Sequence, residues 1–343
     1  MKLTQYSHAS GCGCKMAPAD LEKLLSGKKV EGFHALLVGN HANDDAAVWD
    51  LGNGSALVST VDFFMPIVDD PFDFGRIAAT NAISDVYAMG AKPIFANAIL
   101  GWPIDLLPIE MAAKVMDGAK QICALAGIPL AGGHSIDSKE PIFGLAVNGL
   151  VQTEKIKRNC TAKAGDYLLL TKPIGTGIIG TAIRRGLDIE NHAALVIEEM
   201  CKLNVLGAKL ANLEGVNALT DVTGFGLLGH LIEMCGENLS AELYTSKVPY
   251  FDFLQTYLEQ NIIPDNTYRN WNAWDKKVEG LTDMKWFQLL NDPQTSGGLL
   301  ISVSPETYPE LKALMVQSGL TNFVEPIGIM IERKAPVVIV NAN

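Results

Sequence analysis

The chain contains no apolar run long enough to span a membrane, and it is poor in cysteine, with six in 343 residues. So few thiols in so long a chain exclude a disulfide framework. Cationic residues are outnumbered, 27 against 38 acids, for a formal net charge of −11. That balance argues against a nucleic-acid backbone as partner. Met1-Lys2-Leu3-Thr4-Gln5-Tyr6 has no apolar stretch behind its charge, so no secretory leader is expected. Low-complexity tracts and short-period repeats are absent. There is also no G-x-x-x-x-G-K-[ST] run, so any nucleotide is held by something other than a standard phosphate loop. The expectation is a reduced, cytoplasmic, globular protein with no membrane and no nucleic-acid partner.

What is present is an ordinary globular composition, 48% hydrophobic and 19% charged, with 32 glycines. At this length two domains are expected. Strands alternate with helices, which indicates an α/β chain built in α+β layers. Strands are predicted over 46–49, 56–61, 93–100, 143–151, 167–171, 216–220 and 336–340. Asp70-Pro71 gives a helix cap with proline in the first turn, and the helix runs to about Met89 before Gly90. Further helices are predicted over 108–126, 177–185, 192–213, 225–235 and 305–318. Residues 153–165 are charged and aperiodic and form the candidate junction. The domains expected are a mobile N-terminal segment (1–20), an N-terminal α/β domain (21–155) and a C-terminal α/β domain (156–343).

The most informative segment is Gly11-Cys12-Gly13-Cys14-Lys15. A cysteine that only packs a core sits among apolar side chains. Here the neighbours are glycines and a lysine, and a nearby cation lowers a thiol's pKa. The segment reads as a flexible, reactive thiol lying outside the packed core. The alternatives are half a zinc site with His8 as third ligand, although Cys123, Cys160, Cys201 and Cys235 are scattered singly, and a plain flexible tail.

Carboxylates form a second group. Asn43-Asp44-Asp45 precedes a predicted strand and Asp62 ends one. Asp85 lies inside a predicted helix among Ala82, Val86, Ala88 and Met89, with Asn81 one turn earlier on the same face. An acid among small residues is either a solvated face or a paired or metal-bound group. Asp221 ends a strand before Val222-Thr223-Gly224-Phe225-Gly226, a glycine turn of the kind that approaches phosphate. Hard oxygens at several loop ends, without a histidine cluster, suit Mg²⁺ bridging phosphates. Gly132-Gly133-His134-Ser135 reads as a second glycine turn, either a chain reversal or a phosphate or nucleobase approach. Gly175-Thr176-Gly177-Ile178-Ile179-Gly180 matches G-x-G-x-x-G, but no acid-ended strand follows at the distance a dinucleotide site needs.

Taken together, Ser10-Gly11-Cys12-Gly13-Cys14-Lys15, Asn43-Asp44-Asp45-Ala46-Ala47-Val48, Thr60-Val61-Asp62-Phe63-Phe64, Asn81-Ala82-Ile83-Ser84-Asp85, Gly132-Gly133-His134-Ser135, Asp221-Val222-Thr223-Gly224-Phe225-Gly226 and Asn291-Asp292-Pro293-Gln294-Thr295-Ser296-Gly297-Gly298 resemble the selenophosphate synthetase (selenide, water dikinase) family over nearly the whole chain. The resemblance implies an aminoimidazole ribonucleotide synthetase-like two-domain fold and the conversion of ATP, selenide and water to selenophosphate, phosphate and AMP, which supplies selenium for selenocysteine and seleno-tRNA. It implies Cys12 and Lys15 as catalytic residues, and Mg²⁺ held by Asp45, Asp85 and Asp221. Lys15, Ala42, Asn43, Asp44, Asp62, Asp85, Gly133, His134 and Ser135 would contact ATP, with Gly133-His134-Ser135 reaching the nucleotide of a homodimer partner. A selenium-delivery protein is a further possible partner. The competing readings are another ATP-dependent enzyme of the superfamily, of the aminoimidazole ribonucleotide synthetase or thiamine-phosphate kinase type, and a non-catalytic selenium or metal carrier. The carrier leaves the distant aspartates unexplained.

Overall fold

The computed structural model describes every residue except 17, 26–31, 40–42, 188 and 343. Two sheets organise it. The first contains β1 (Leu36–Val38), β2 (Ala47–Asp50), β3 (Ser55–Phe64), β4 (Lys92–Trp102), β5 (Leu130–Asp137) and β6 (Ile142–Gln152), in the order β1-β2-β3-β6-β4-β5. Only β4 and β5 pair in parallel there. The second contains β7 (Tyr167–Leu170), β8 (Val216–Asp221), β9 (Leu239–Tyr244), β10 (Val278–Glu279), β11 (Leu299–Val303), β12 (Gly328–Glu332) and β13 (Val338–Asn341), in the order β10-β13-β9-β12-β7-β11-β8.

The helix Pro71–Ala88 joins the two halves. It starts as the sequence predicts, with the Asp70 carboxylate accepting the Asp73 N–H and Pro71 in the first turn. Its residues are buried almost all round, the mark of a helix with packing on every side. It lies against β3, β4 and β6 of the first sheet and also against β8 of the second. Small residues allow this. A Cβ on Gly75 would stand 1.9 Å from the Val115 carbonyl oxygen of the neighbouring helix Ile109–Leu125. Buried polar residues of the 71–88 helix, Asn81 and Ser84, therefore meet groups of the second half, Ser296 and Asn204.

Three local expectations need correction. Residues 132–133 form no turn. They belong to edge strand β5, where a Cβ on Gly133 would lie 2.3 Å from the Ala98 carbonyl oxygen. The glycine pair serves close strand approach and not chain reversal. The long helix over 192–213 is two helices, Glu190–Met200 and Leu206–Leu210. Between them Asn204 donates to Ser84 Oγ (2.8 Å) and the Gly297 carbonyl (3.0 Å), and the Lys202 carbonyl accepts from Lys172 Nζ (2.7 Å). Tertiary bonds there replace the helical ladder. Finally, Cys12 is not outside the packed core but fully buried in it.

Candidate active site

The acids meet at the seam. Asp45 precedes β2, Asp85 sits in the last turns of the 71–88 helix, and Asp221 ends β8. One carboxylate oxygen from each lies within 4.8 Å of the others, and no other cluster of three such His, Cys, Asp or Glu ligand atoms occurs among the described residues. Thr60 Oγ1 donates to Asp85 Oδ2 (2.6 Å), and Thr220 Oγ1 donates to Asp45 Oδ1 (2.8 Å). These two hydroxyls were given no role in the sequence reading. Strand alternation could have found Thr60, because Val58, Thr60, Asp62 and Phe64 all face inward from β3.

Each member of the trio is held in an unfavourable state. Burial pushes all three carboxyls up, Asp221 to about 6 and Asp45 and Asp85 well above the ordinary range, where the charge of Asp221 adds to the effect. Asp45 Oδ2 and Asp221 Oδ2 are buried with no protein hydrogen-bond partner. Acids with buried, idle oxygens, converging from three elements, fit a hard divalent cation.

Beside them is the thiol segment. Gly11 N–H donates to the Met65 carbonyl (3.0 Å), and Cys12 N–H donates to Thr295 Oγ1 (2.9 Å). Gly11 has φ +51°, and a Cβ there would meet Thr295 Oγ1 at 2.3 Å. Its glycine serves close docking as well as freedom. Burial first, then the Asp62 charge, raises the Cys12 pKa well above that of a free thiol, and Lys15 pulls the other way without prevailing. Lys15 does pull the thiol's pKa down, as its position in the sequence suggests, but burial and Asp62 outweigh it. Lys15 Nζ lies 3.8 Å from Asp62 Oδ2, and that charge raises the lysine's pKa further. The Lys15 stem passes over Gly224, where a Cβ would lie 2.9 Å from its Cδ.

The glycine turn after Asp221 is braced from below. Thr223 N–H donates to His230 Nε2 (3.0 Å), and Asn270 Nδ2 donates to the Gly224 carbonyl (2.9 Å). Burial lowers the His230 pKa to about 3, so the imidazole stays neutral and its Nε2 can accept the Thr223 N–H. Asn270 belongs to the helix Asp265–Trp274, which the sequence reading did not foresee.

Other predicted residues stand apart from the trio. Asp44 is bound by Arg158 Nε and Nη2 (both 3.1 Å) and by the Asn159 N–H (2.9 Å), so its carboxylate ties the loop down. The Asn43 carbonyl accepts from Asn159 Nδ2 (2.7 Å). Ala42 lies outside the described residues. Gly133, His134 and Ser135 are exposed on β5, which β6 and β4 separate from β3 by roughly 14 Å at the usual strand spacing. Within one chain they do not reach the acids. His8 does not approach Cys12: its N–H and Nδ1 meet Glu140 at 3.0 and 2.8 Å, which removes the proposed third zinc ligand. The G-x-G-x-x-G run opens the helix Thr176–Arg184, but its amides are already taken. Gly175 and Thr176 donate to Gln294 Oε1 and Gly177 to Asp292 Oδ2, leaving no room for a pyrophosphate.

Comparison with known proteins bears on this arrangement. Residues 43–151 match the N-terminal domain, and residues 163–341 the C-terminal domain, of AIR synthase related proteins. A selenide, water dikinase from Photorhabdus laumondii is 51% identical over 345 residues, covering 100% of this chain and 99% of its own. One from Aeromonas hydrophila is 54% identical, covering 96% and 95%. Among solved structures, thiamine monophosphate kinase from Aquifex aeolicus superposes with a TM-score of 0.67 over 96% of this chain and 97% of its own; at 16% identity it shares the fold alone. The two-layered architecture is that of the AIR synthase related proteins, and at this identity over nearly the full length the chain belongs among them to the selenide, water dikinase family.

Proposed function

We propose that this chain makes selenophosphate from ATP and selenide, with water converting the remaining nucleotide to AMP and phosphate. Selenide selenium takes the γ-phosphoryl group, and the ADP left behind loses its β-phosphoryl group to water. The observation that carries this reading is a soft thiol, Cys12, joined to a hard three-carboxylate cluster through Lys15 and Asp62. A plain oxygen kinase has no use for the thiol, and a metal or selenium carrier has no use for the cluster. Asp45, Asp85 and Asp221 would hold Mg²⁺, which screens phosphate charge when bound. Lys15, held by Asp62, would place its ammonium against the charge on the transferred phosphoryl group. Docking of residues 1–16 over the seam would exclude water during the first transfer. Phosphorus NMR of anaerobic reactions containing ATP and Mg²⁺ tests the reading. Selenophosphate, phosphate and AMP are expected only when selenide is added. AMP formed equally well without selenide would refute it.

The working unit we infer is a homodimer formed through the outer face of the first sheet. Trp49, Val61, Phe63, Ile136 and Leu150 all stand exposed there, on β2, β3, β5 and β6. A face this apolar is a candidate for burial. A second copy seated on it would bring Gly133-His134-Ser135 toward a neighbouring acid cluster, which one chain cannot do. Phe63 is 48% exposed, and Phe63→Asp should yield monomer in sedimentation equilibrium, because a two-fold contact suffers the change twice. Desolvating the added charges predicts at least a hundredfold weaker association, about 3 kcal/mol. An unchanged dimer at micromolar concentration would rule this face out.

A further inference from the structure

Asn81 is fully buried on the 71–88 helix, one turn before Asp85, and touches both halves of the thiol apparatus. Its Oδ1 accepts the Ser296 N–H (2.7 Å) and lies 3.4 Å from Cys12 Sγ. Its Nδ2 donates to Asp62 Oδ2. The amide orientation is therefore determined. A backbone N–H can only donate and an ionised carboxylate can only accept, so Oδ1 must face Ser296 and Nδ2 must face Asp62.

Ser296 cannot turn aside. It is held at φ +51°, unusual for a residue with a side chain. Its hydroxyl donates to the Met200 carbonyl, and its own carbonyl accepts from Lys172 Nζ (2.9 Å), a buried lysine that also donates to the Lys202 carbonyl. The sulfur therefore faces a fixed acceptor oxygen. A thiol meets that oxygen as an S–H donor, whereas a thiolate would meet it lone pair to lone pair.

We propose that Asn81 is a positioning residue that holds Cys12 as an S–H donor in the substrate-free protein and, with its other end, keeps Asp62 turned toward Lys15. The remaining groups that act on the sulfur are the Asp62 carboxylate, Lys15, the neighbouring Cys14 and the Thr295 hydroxyl. Asp62 and Cys14 oppose a thiolate, Lys15 and Thr295 favour one, and burial decides for the neutral form. This deepens the reading of Cys12 as the functional thiol. An arriving hydrogen selenide anion would meet a proton on sulfur and not a second anion, so Cys12 enters the reaction as a hydrogen-bond donor.

The test reads the proton itself and not turnover. An infrared difference spectrum, wild type minus Cys12→Ser, at neutral pH without substrates, is expected to show an S–H stretch at a hydrogen-bonded frequency. In Asn81→Ala that band should move to the free S–H position, and ultraviolet titration of the thiolate band should show about tenfold more Cys12 thiolate at mildly alkaline pH, one pKa unit. No S–H band from Cys12 in the wild type, or a band and titration unmoved in Asn81→Ala, would overturn the proposal. Should Asn81→Ala fail to fold, the wild-type spectrum decides alone: a band at the free S–H frequency refutes it. Selenide-dependent AMP formation surviving in Cys12→Ser would instead refute the functional role of the thiol and leave the hydrogen-bond assignment standing.

Discussion

Cys12→Ser is expected to lose selenide-dependent AMP formation by about 10²-fold or more, the scale on which removing one positioned catalytic group acts, while folding and nucleotide binding persist. The fold survives for a specific reason. Cys12 is fully buried, so a careless replacement would leave a cavity or an unpaired group. Serine is close in size, and its hydroxyl still donates to Asn81 Oδ1, the acceptor 3.4 Å from the native sulfur. The bond from the Cys12 backbone N–H to Thr295 Oγ1 is untouched. The stability change should stay within about 1 kcal/mol. What serine cannot reproduce is a soft, polarisable sulfur beside selenium. Cys14→Ser should be milder: Cys14 is only half-buried and has no bond to Asn81. Parallel assays of AMP formation, and of ATP-analogue binding by calorimetry, check both variants. Wild-type turnover in Cys12→Ser would end the assignment, and equal losses in the two would favour a paired-thiol role.

The legible part of this molecule was the part written locally. The helix over 71–88 declared itself through Asp70-Pro71 and Gly90, and the observed cap is the predicted one. Asp45, Asp85 and Asp221 could be picked out as acids at strand ends or among small residues, and the fold does gather them. What failed depended on distant partners. Glycine beside Cys12 looks like freedom until Thr295, nearly three hundred residues later, turns out to occupy the space of its Cβ. Lysine beside a thiol looks activating until burial and Asp62 are weighed against it. Gly132-Gly133 looks like a reversal because strand pairing with Ala98 is invisible in one dimension. Asn266 and Asn270 of the 265–274 helix gave no periodic or compositional signal, since their partners are backbone carbonyls of Lys15, Gly224 and Asn291.

Asp85→Asn should produce two changes of opposite sign, and their conjunction is the test of the acid cluster. In the metal-free protein, three carboxylates within 4.8 Å repel one another. At an effective dielectric constant near 20, a pair of unit charges at that distance costs about 3–4 kcal/mol. Burial raises their pKa values on folding, Asp221 to about 6 and Asp45 and Asp85 well above the ordinary range with the Asp221 charge adding to those two, whereas the unfolded chain titrates near the ordinary 3.8. The folded protein thus binds more protons than the unfolded one from about pH 4 upward, so metal-free stability falls as pH rises through that window. Mg²⁺ binds the deprotonated cluster and reverses the trend, so its stabilising effect should be larger at pH 8 than at pH 5.5. Asparagine at 85 keeps an oxygen for the Thr60 hydroxyl, now 2.6 Å from Asp85 Oδ2, and removes one charge. Metal-free Asp85→Asn should then melt a few degrees above wild type at pH 8, since roughly 1–2 kcal/mol of relieved repulsion moves the midpoint by about that much. At the same time its Mg²⁺ affinity should fall at least tenfold, since loss of even an outer-shell partner costs about 10–100-fold. Melting curves with and without Mg²⁺ at the two pH values read both signs together. A variant that is less stable without metal but still fully responsive to Mg²⁺ would make Asp85 a structural acid and take it out of the cation site.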